Sequence, residues 1–126
     1  IVFHVEVDKD ITKLLKMIKQ YGIKAGLSIK PNTKVSELVP YLPYLDMVLV
    51  MSVEPGKGGQ SFIEESEERI KEVRELLKSY NIPAVINVDG GVNDKTVSKC
   101  RDADIVTAGS YIINSDNFQT KISSLR

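Results

Sequence analysis

The stretch Val48-Leu-Val-Met-Ser-Val-Glu-Pro-Gly-Lys-Gly-Gly-Gln-Ser-Phe62 decides how this chain folds. Its first half is a run of apolar residues without polar alternation, which is typical of a parallel strand buried on both faces. Its second half is rich in glycine and leads into a segment with helical spacing. A strand that ends in such a loop predicts a parallel sheet with a ligand at the carboxyl ends of its strands.

Two further junctions of this kind follow along the chain. The segment Val85-Ile-Asn-Val-Asp-Gly-Gly-Val92 ends a strand-like run in two glycines, and Ile105-Val-Thr-Ala-Gly-Ser110 ends another in Gly-Ser. Bare backbone at three successive strand ends predicts that an oxyanion, most simply phosphate, is held there. Asp89 adds an ionisable group to the same surface. A phosphate-binding site with a carboxylate beside it is typical of an enzyme that acts on a sugar phosphate.

Each of these features also has a purely structural interpretation. The loop 55–60 is neither a Walker loop nor a Gly-x-Gly-x-x-Gly dinucleotide motif, and it is compatible with a flexible turn. Asp89 is compatible with a capping role at a strand–helix turn, and Gly109-Ser110 with an ordinary strand end. The phosphate interpretation therefore rests on all three junctions together.

The composition excludes several classes of function. Lysine plus arginine equal aspartate plus glutamate at 17 each in 126 residues, so no net field recruits nucleic acid or an anionic membrane. No signal peptide or membrane-length apolar run is present. A single cysteine, Cys100, favours a reducing, cytoplasmic setting. Because the chain begins inside a strand-like run at Ile1, without methionine, we expect it to be part of a longer protein.

Strand-like and helix-like segments alternate, which predicts an α/β fold with a parallel sheet. The expected strands are Val2–Val7, Ile23–Ile29, Met47–Ser52, Ala84–Val88 and Ile105–Ala108. The sequence leaves the strand order open. An open doubly wound sheet of five strands suits this length. If the strands instead lie in chain order, the chain forms five units of a (β/α)8 barrel.

Apolar stripes and capping signals place the helices. One stripe runs from Ile11 to Ile18 and is closed by Gly22. A second stripe runs from Ile70 to Leu77, and Ser61-Phe-Ile-Glu64 predicts a capping box at its start. Shorter helices are expected after Asn32-Thr33, Asn93-Asp94 and Asp116-Asn117, with Pro40 and Pro43 making the helix near Leu38 irregular.

Taken together, the motifs resemble the C-terminal portion, strands four to eight, of the ribulose-phosphate 3-epimerase family. On this resemblance, residues 1–126 are the C-terminal part of a single TIM-barrel domain of about five β/α units. The matching motifs are Phe3-His-Val-Glu6, Lys24-Ala-Gly-Leu-Ser-Ile-Lys-Pro-Asn-Thr33, Asp46-Met-Val-Leu-Val-Met-Ser-Val-Glu-Pro-Gly56, Gly58-Gly-Gln60, Val88-Asp-Gly-Gly-Val92 and Ala108-Gly-Ser110.

The resemblance implies a role for each matching site residue. Asp89 corresponds to one of two catalytic aspartates, which also contacts the substrate and binds one divalent metal ion (Fe, Mn, Zn or Co). Met51 corresponds to a pocket-wall methionine near the reacting carbons. The family's second aspartate and remaining metal ligands lie on its first three strands, outside this chain. The residues implied to hold the substrate phosphate are Gly56, Lys57, Gly58, Gly59, Gly90, Gly91, Gly109 and Ser110.

The implied reaction of the longer protein interconverts D-ribulose 5-phosphate and D-xylulose 5-phosphate in the pentose phosphate pathway. It proceeds by metal-assisted proton transfer at C3, in a cytoplasmic homo-oligomer, and we expect the isolated 126-residue chain to be inactive. An epimerase for a related ketose phosphate, such as allulose 6-phosphate, is one alternative. A phosphate-binding fragment without catalysis is another.

The sequence departs from the family's pattern at two places. Lys57 stands where the family usually has phenylalanine, which adds a charge beside the phosphate. The turn Cys100-Arg-Asp-Ala-Asp-Ile105 is shorter than usual, which predicts a shift of the Gly109-Ser110 end of the site.

Overall fold

The computed structural model describes all 126 residues and contains one parallel sheet of five strands. The strands lie in chain order, β1 to β5, and every neighbouring pair is parallel. Their bounds are β1 Val2–His4, β2 Gly26–Ile29, β3 Met47–Met51, β4 Val85–Asp89 and β5 Ile105–Thr107.

Chain order decides between the two predicted architectures. Right-handed crossovers between strands in chain order place every connecting helix on the same face of the sheet, whereas a doubly wound sheet needs a reversal of order. The prediction of an α/β partial barrel is therefore confirmed, and the doubly wound alternative is wrong.

Four α-helices and two 3₁₀ segments connect or follow the strands. The helices are α1 Ile11–Gln20, α2 Ser66–Ser79, α3 Ser110–Ile113 and α4 Phe118–Ser124, and the 3₁₀ segments are Val35–Tyr44 and Val97–Cys100. The irregular first 3₁₀ segment contains Pro40 and Pro43, as predicted, because each proline removes a backbone donor. None of these helices has the length and apolarity needed to cross a membrane.

The predicted capping box of α2 is wrong. The helix begins at Ser66, and the residue before it makes no side-chain cap bond. The Ile63 N–H instead donates to the Ser52 carbonyl at 2.8 Å, and Phe62 packs against Gly91. These contacts hold the segment as the returning arm of the loop, so the helix starts only after it.

The core lies between the sheet and its helices. Val48, Val50, Ile86 and Val88 are fully buried, whereas the alternate residues of β3 and β4 are only half-buried. Successive strand residues point to opposite faces, so the half-buried set forms a second face that no helix covers. This face corresponds to the interior of a complete barrel.

The first strand is shorter than the sequence predicts. It ends at His4, and residues 5–7 form a turn in which the Val7 N–H donates to the His4 carbonyl. Glu6 therefore lies beyond the strand, although its carboxylate still lies 3.6 Å from His4 Nδ1.

Candidate functional site

A cavity of about 250 Å³ lies at the carboxyl ends of β3, β4 and β5. It is formed by the loop after each of these strands, so the three predicted junctions do meet. Its lining residues are Val53, Glu54, Pro55, Gly56, Lys57, Gly58, Gly59, Gln60, Asp89, Gly90, Gly91, Thr107, Gly109 and Ser110. The shortened turn before β5 does not separate Gly109 and Ser110 from the rest.

The backbone N–H groups around this cavity have no partner within the protein. None of the N–H groups of residues 56–59, 90–91 and 109–110 donates to a backbone or side-chain acceptor of the chain. Backbone donors are seldom left without an acceptor, and successive free N–H groups in a concave loop form a site for an anion. The cavity is therefore suited to a phosphate group.

The glycines of the site fall into three groups, according to whether close packing, a positive φ or neither requires glycine. Gly90 and Gly91 have φ of 131° and 65°, and a Cβ at Gly90 would lie 2.6 Å from a methyl group of Val53. A Cβ at Gly91 would overlap the backbone of Phe62. The fold itself requires these two glycines, because they allow the loop after β3 to pack on the end of β4.

Gly58 is different, because neither close packing nor a positive φ requires glycine there, and the same holds for Gly109. The φ of Gly58 lies outside the left-handed region, and an added Cβ would meet nothing within 4 Å. Gly56 and Gly59 have open space around them too, but their φ values of 100° and 74° demand glycine. A glycine that is free of both constraints leaves its backbone open to close approach by a ligand.

Asp89 is the last residue of β4 and lies at the edge of the cavity. It is in register with Met51 on β3 and Thr107 on β5, and it is half-buried. With Glu54 and Lys57 it makes up the titratable residues of the lining. A carboxylate at this position can serve as an acid–base group toward a ligand in the cavity.

Met51 and Lys57 are placed differently from each other. Met51 is not part of the cavity lining but lies beside Asp89 on the uncovered face of the sheet, so its role as a pocket wall stays a prediction. Lys57 is part of the lining, on the exposed tip of the loop after β3. Its position brings a positive charge to the anion site.

His4, Ser28 and Glu6 lie together but do not form a catalytic relay. Ser28 Oγ is 2.8 Å from His4 Nδ1, and the Glu6 carboxylate approaches the same nitrogen. A relay needs the hydroxyl and the carboxylate on opposite ring nitrogens. We interpret the cluster as a contact between β1 and β2.

The residues of this chain do not make a metal site by themselves. No group of three or more His, Cys, Asp or Glu side chains lies close enough together to hold a metal ion. Asp89 alone therefore cannot complete the site of the divalent metal that the resemblance implies.

Aspartates at the opposite end of the sheet have structural roles. Asp46 accepts hydrogen bonds from Lys19 Nζ at 2.7 Å and from the Ala25 N–H at 2.9 Å. The hydrogen bond from the Lys19 ammonium lowers the pKa of the Asp46 carboxyl more than burial of the carboxyl raises it. Asp104 repeats the arrangement, with Arg74 as the cation and the Ile86 N–H as the backbone donor. Each aspartate thus ties the start of its own strand to the preceding one.

Comparison with known proteins bears on this arrangement directly. The model of the ribulose-phosphate 3 epimerase family matches residues 1–113. The chain belongs to this family. The loops that form the cavity are among the sequence motifs that resemble this epimerase family.

Curated relatives agree with the family match. The chain is 39% identical over its whole length to a ribulose-phosphate 3-epimerase of Chlamydia pneumoniae, covering 58% of that protein. It is 38% identical to the Helicobacter pylori enzyme, again over its whole length and covering 59% of the relative. The chain thus spans a little over half the length of the epimerases that it matches.

A solved structure supports the fold alone. Tryptophan synthase of Mycobacterium tuberculosis superposes with a TM-score of 0.61 at 15% identity, over 98% of this chain and 46% of the other. At this identity the likeness concerns the arrangement of strands and helices and not the chemistry.

Sequence reasoning missed several residues of the site. The sequence motifs include Gln60 and Ser52 but indicate no role for them, and they do not distinguish Glu54 or Thr107. The alternation of β5 could have placed Thr107 beside Asp89, because both end neighbouring strands. The hydrogen bonds of Ser52 and Gln60 depend on the path of the loop, which the sequence pattern does not give.

Proposed function

We propose that this chain is the phosphate-binding part of a ribulose-phosphate 3-epimerase. The longer protein would interconvert D-ribulose 5-phosphate and D-xylulose 5-phosphate as a cytoplasmic, homo-oligomeric enzyme of the pentose phosphate pathway. The observation that carries this proposal is the set of unpartnered backbone N–H groups beside Asp89, in a chain of this family. Residues 1–126 would be the C-terminal part of one TIM-barrel domain.

The cavity would receive the substrate's phosphate. N–H groups of the loops after β3, β4 and β5 would donate to its oxygens, together with the Ser110 hydroxyl, and Lys57 would add a positive charge. Such charge-assisted hydrogen bonds are about twice as strong as neutral ones. The phosphate would then anchor the sugar with its carbon chain extending over Asp89.

Asp89 would act as an acid–base group at C3. The C3 proton of the ketose lies next to the C2 carbonyl, so its removal gives an enediolate. A carboxylate on one face of the carbon can remove or return this proton, but inversion also needs a group on the opposite face. A divalent metal (Fe, Mn, Zn or Co) bound partly by Asp89 would stabilise the negative charge of the enediolate. The second acid–base group and the other metal ligands would come from outside this chain.

Specificity for the pentose phosphate is supported by the named relatives, which are ribulose-phosphate 3-epimerases. An epimerase of a related ketose phosphate, such as allulose 6-phosphate, would use the same cavity. The catalytically incomplete alternative describes the isolated chain, because Asp89 alone cannot serve both faces of C3.

Equilibrium dialysis tests the binding half of the proposal. We expect D-ribulose 5-phosphate and inorganic phosphate to compete for one site on the chain, and D-ribulose without a phosphate to leave that site unaffected. We also expect no C3 proton exchange in deuterated water with the chain alone. Equal binding of ribulose and its phosphate would contradict the anion site, and exchange by the isolated chain would contradict its incompleteness.

A further inference from the structure

Gln60 in the cavity lining and Ser52 next to it each donate to the carbonyl oxygen of a peptide whose N–H group belongs to a site glycine. Gln60 Nε2 donates to the Lys57 carbonyl at 2.8 Å and to the Glu54 carbonyl at 2.6 Å. Ser52 Oγ donates to the Gly90 carbonyl at 2.6 Å. We propose that Gln60 and Ser52 are positioning residues that orient the Gly58 and Gly91 N–H groups for the phosphate. This inference rests on the proposed function.

The two hydrogen bonds act through the geometry of the peptide group. All peptide bonds of the chain are trans, so the C=O and N–H of each unit point in opposite directions. A hydrogen bond that fixes the Lys57 carbonyl therefore fixes the direction of the Gly58 N–H as well. In the same way, the bond from Ser52 to the Gly90 carbonyl fixes the Gly91 N–H.

Gln60 is suited to this role because its carboxamide nitrogen donates to two carbonyl groups of the loop. The acceptors lie three and six residues back along the chain, so the side chain closes the loop 54–60 from within. The loop contains glycines at positions 56, 58 and 59, so without this bridge its backbone would have few conformational restraints. Gly58, whose small size the fold does not require, lies in the middle of the bridged segment.

Ser52 is fully buried and acts only through other groups. Its N–H donates to the Asp89 carbonyl at 3.0 Å, its carbonyl accepts from the Ile63 N–H at 2.8 Å, and its hydroxyl donates to Gly90. Its hydroxyl hydrogen is committed to Gly90 and its side chain is out of contact with solvent, so it is not placed to bind a ligand itself. It instead joins the end of β4 to the returning arm of the loop after β3.

Preorganised donors bind an oxyanion more tightly than donors that must first be ordered, because the ordering cost is already met in the folded state. Loss of one oriented N–H group weakens a charge-assisted hydrogen bond. We therefore expect removal of either positioning side chain to weaken phosphate binding roughly tenfold.

The test uses the 126-residue chain, inorganic phosphate as the probe and equilibrium dialysis as the assay. Gln60→Met keeps the length of the side chain, introduces no charge and removes both donors. Gln20→Met, at the exposed end of α1, is its matched control. Ser52→Ala is paired with Ser28→Ala, since Ser28 is also buried but lies on β2 away from the cavity.

We expect Gln60→Met and Ser52→Ala to bind phosphate roughly tenfold more weakly than the wild type, and both controls to bind it within about twofold. Gln60→Met should do so without a change in melting temperature, which a merely structural role would not allow. Wild-type affinity in both variants, measured on folded protein, would overturn the proposal.

A second readout separates this proposal from the proposed function. Trypsin cleaves after lysine, so cleavage between Lys57 and Gly58 in the phosphate-free chain reports the order of the loop. We expect Gln60→Met to accelerate this cleavage several-fold and Gln20→Met to leave it unchanged. If the wild type binds no phosphate, the proposed function fails, and unchanged cleavage in Gln60→Met would overturn the positioning role independently.

Discussion

The Ser52 N–H donates to the Asp89 carbonyl at 3.0 Å, immediately beyond the end of β3. This bond continues the ladder between β3 and β4 by one residue. The backbone of Asp89, the last residue of β4, is therefore held on the β3 side by the strand ladder, whereas the two glycines that follow lie outside the ladder and line the cavity. A rigid acid–base candidate thus lies directly beside a loop of free N–H donors.

The contrast between Gly58 and Gly91 gives the first prediction. Gly58→Ala should weaken phosphate binding about tenfold or more, because the methyl group blocks approach to the backbone, while stability stays the same or rises by about 0.4–1 kcal/mol. Gly91→Ala should instead lower the free energy of unfolding by more than about 2 kcal/mol, since a Cβ would overlap the backbone of Phe62. Denaturant unfolding and dialysis measure the two effects.

This pair of variants serves as its own control, because each is expected to change the property that the other preserves. A Gly58→Ala chain that unfolds more readily but binds phosphate normally would show that Gly58 is required by the fold after all.

The pKa of Asp46 predicts a pH dependence of stability. The Lys19 ammonium lowers the pKa of this carboxyl in the folded state. A lowered folded-state pKa contributes stability that is fully present above the unfolded pKa, about 3.9, and is lost as the pH falls through the folded value. The difference in melting temperature between wild type and Asp46→Asn should therefore be largest at neutral pH and narrow below about pH 4. A difference that is constant between pH 7 and pH 3 would contradict the assignment.

The rate at which the Cys100 thiol is alkylated should measure unfolding of the chain, because the folded chain keeps this thiol buried and unreactive. Burial raises the pKa of its thiol to about 11, with the Glu67 carboxylate adding to the effect, and the side chain is 4% exposed. Thiolate is the reactive form, so at pH 8 we expect alkylation to proceed only as fast as the chain opens. Rapid labelling of the folded chain at the rate of a free thiol would show that Cys100 is accessible.

The uncovered face of the sheet predicts self-association of the isolated chain. Val2 and Ile105 on the outer strands are 38% and 42% exposed, and both β1 and β5 present an unpaired strand edge. Open edges and apolar patches promote association and low stability. Size-exclusion chromatography with light scattering should show oligomers at micromolar concentration, and a sharp, reversible two-state melt of a monomer would contradict this.

The positions of the strands could be predicted from the sequence pattern, but their order in the sheet could not. Valine- and isoleucine-rich runs such as the one at Val48 located all five strands, because burial on both faces removes polar alternation. Periodicity could not give strand order, since the same pattern suits a barrel and a doubly wound sheet. The order followed from the family resemblance and from the structure.

The site was predictable at the level of its loops and not at the level of its contacts. Glycines after strand-like runs marked all three loops, because only bare backbone can approach an anion closely. The roles of Ser52 and Gln60 were not accessible, because they depend on which carbonyl oxygens the folded loop brings within 3 Å. The capping box failed for the same reason, since the path of the loop keeps Ser61 from serving as an N-cap.

The most direct test of the account is C3 proton exchange of D-ribulose 5-phosphate in deuterated water. The chain would be joined to the part of the Helicobacter pylori epimerase that it does not match, with Fe(II), Mn(II), Zn(II) or Co(II) supplied. We predict exchange and epimerisation by this chimera, and loss of both on Asp89→Asn while phosphate remains bound. A folded chimera that binds phosphate but does not exchange the C3 proton, or an Asp89→Asn variant with full activity, would contradict the account.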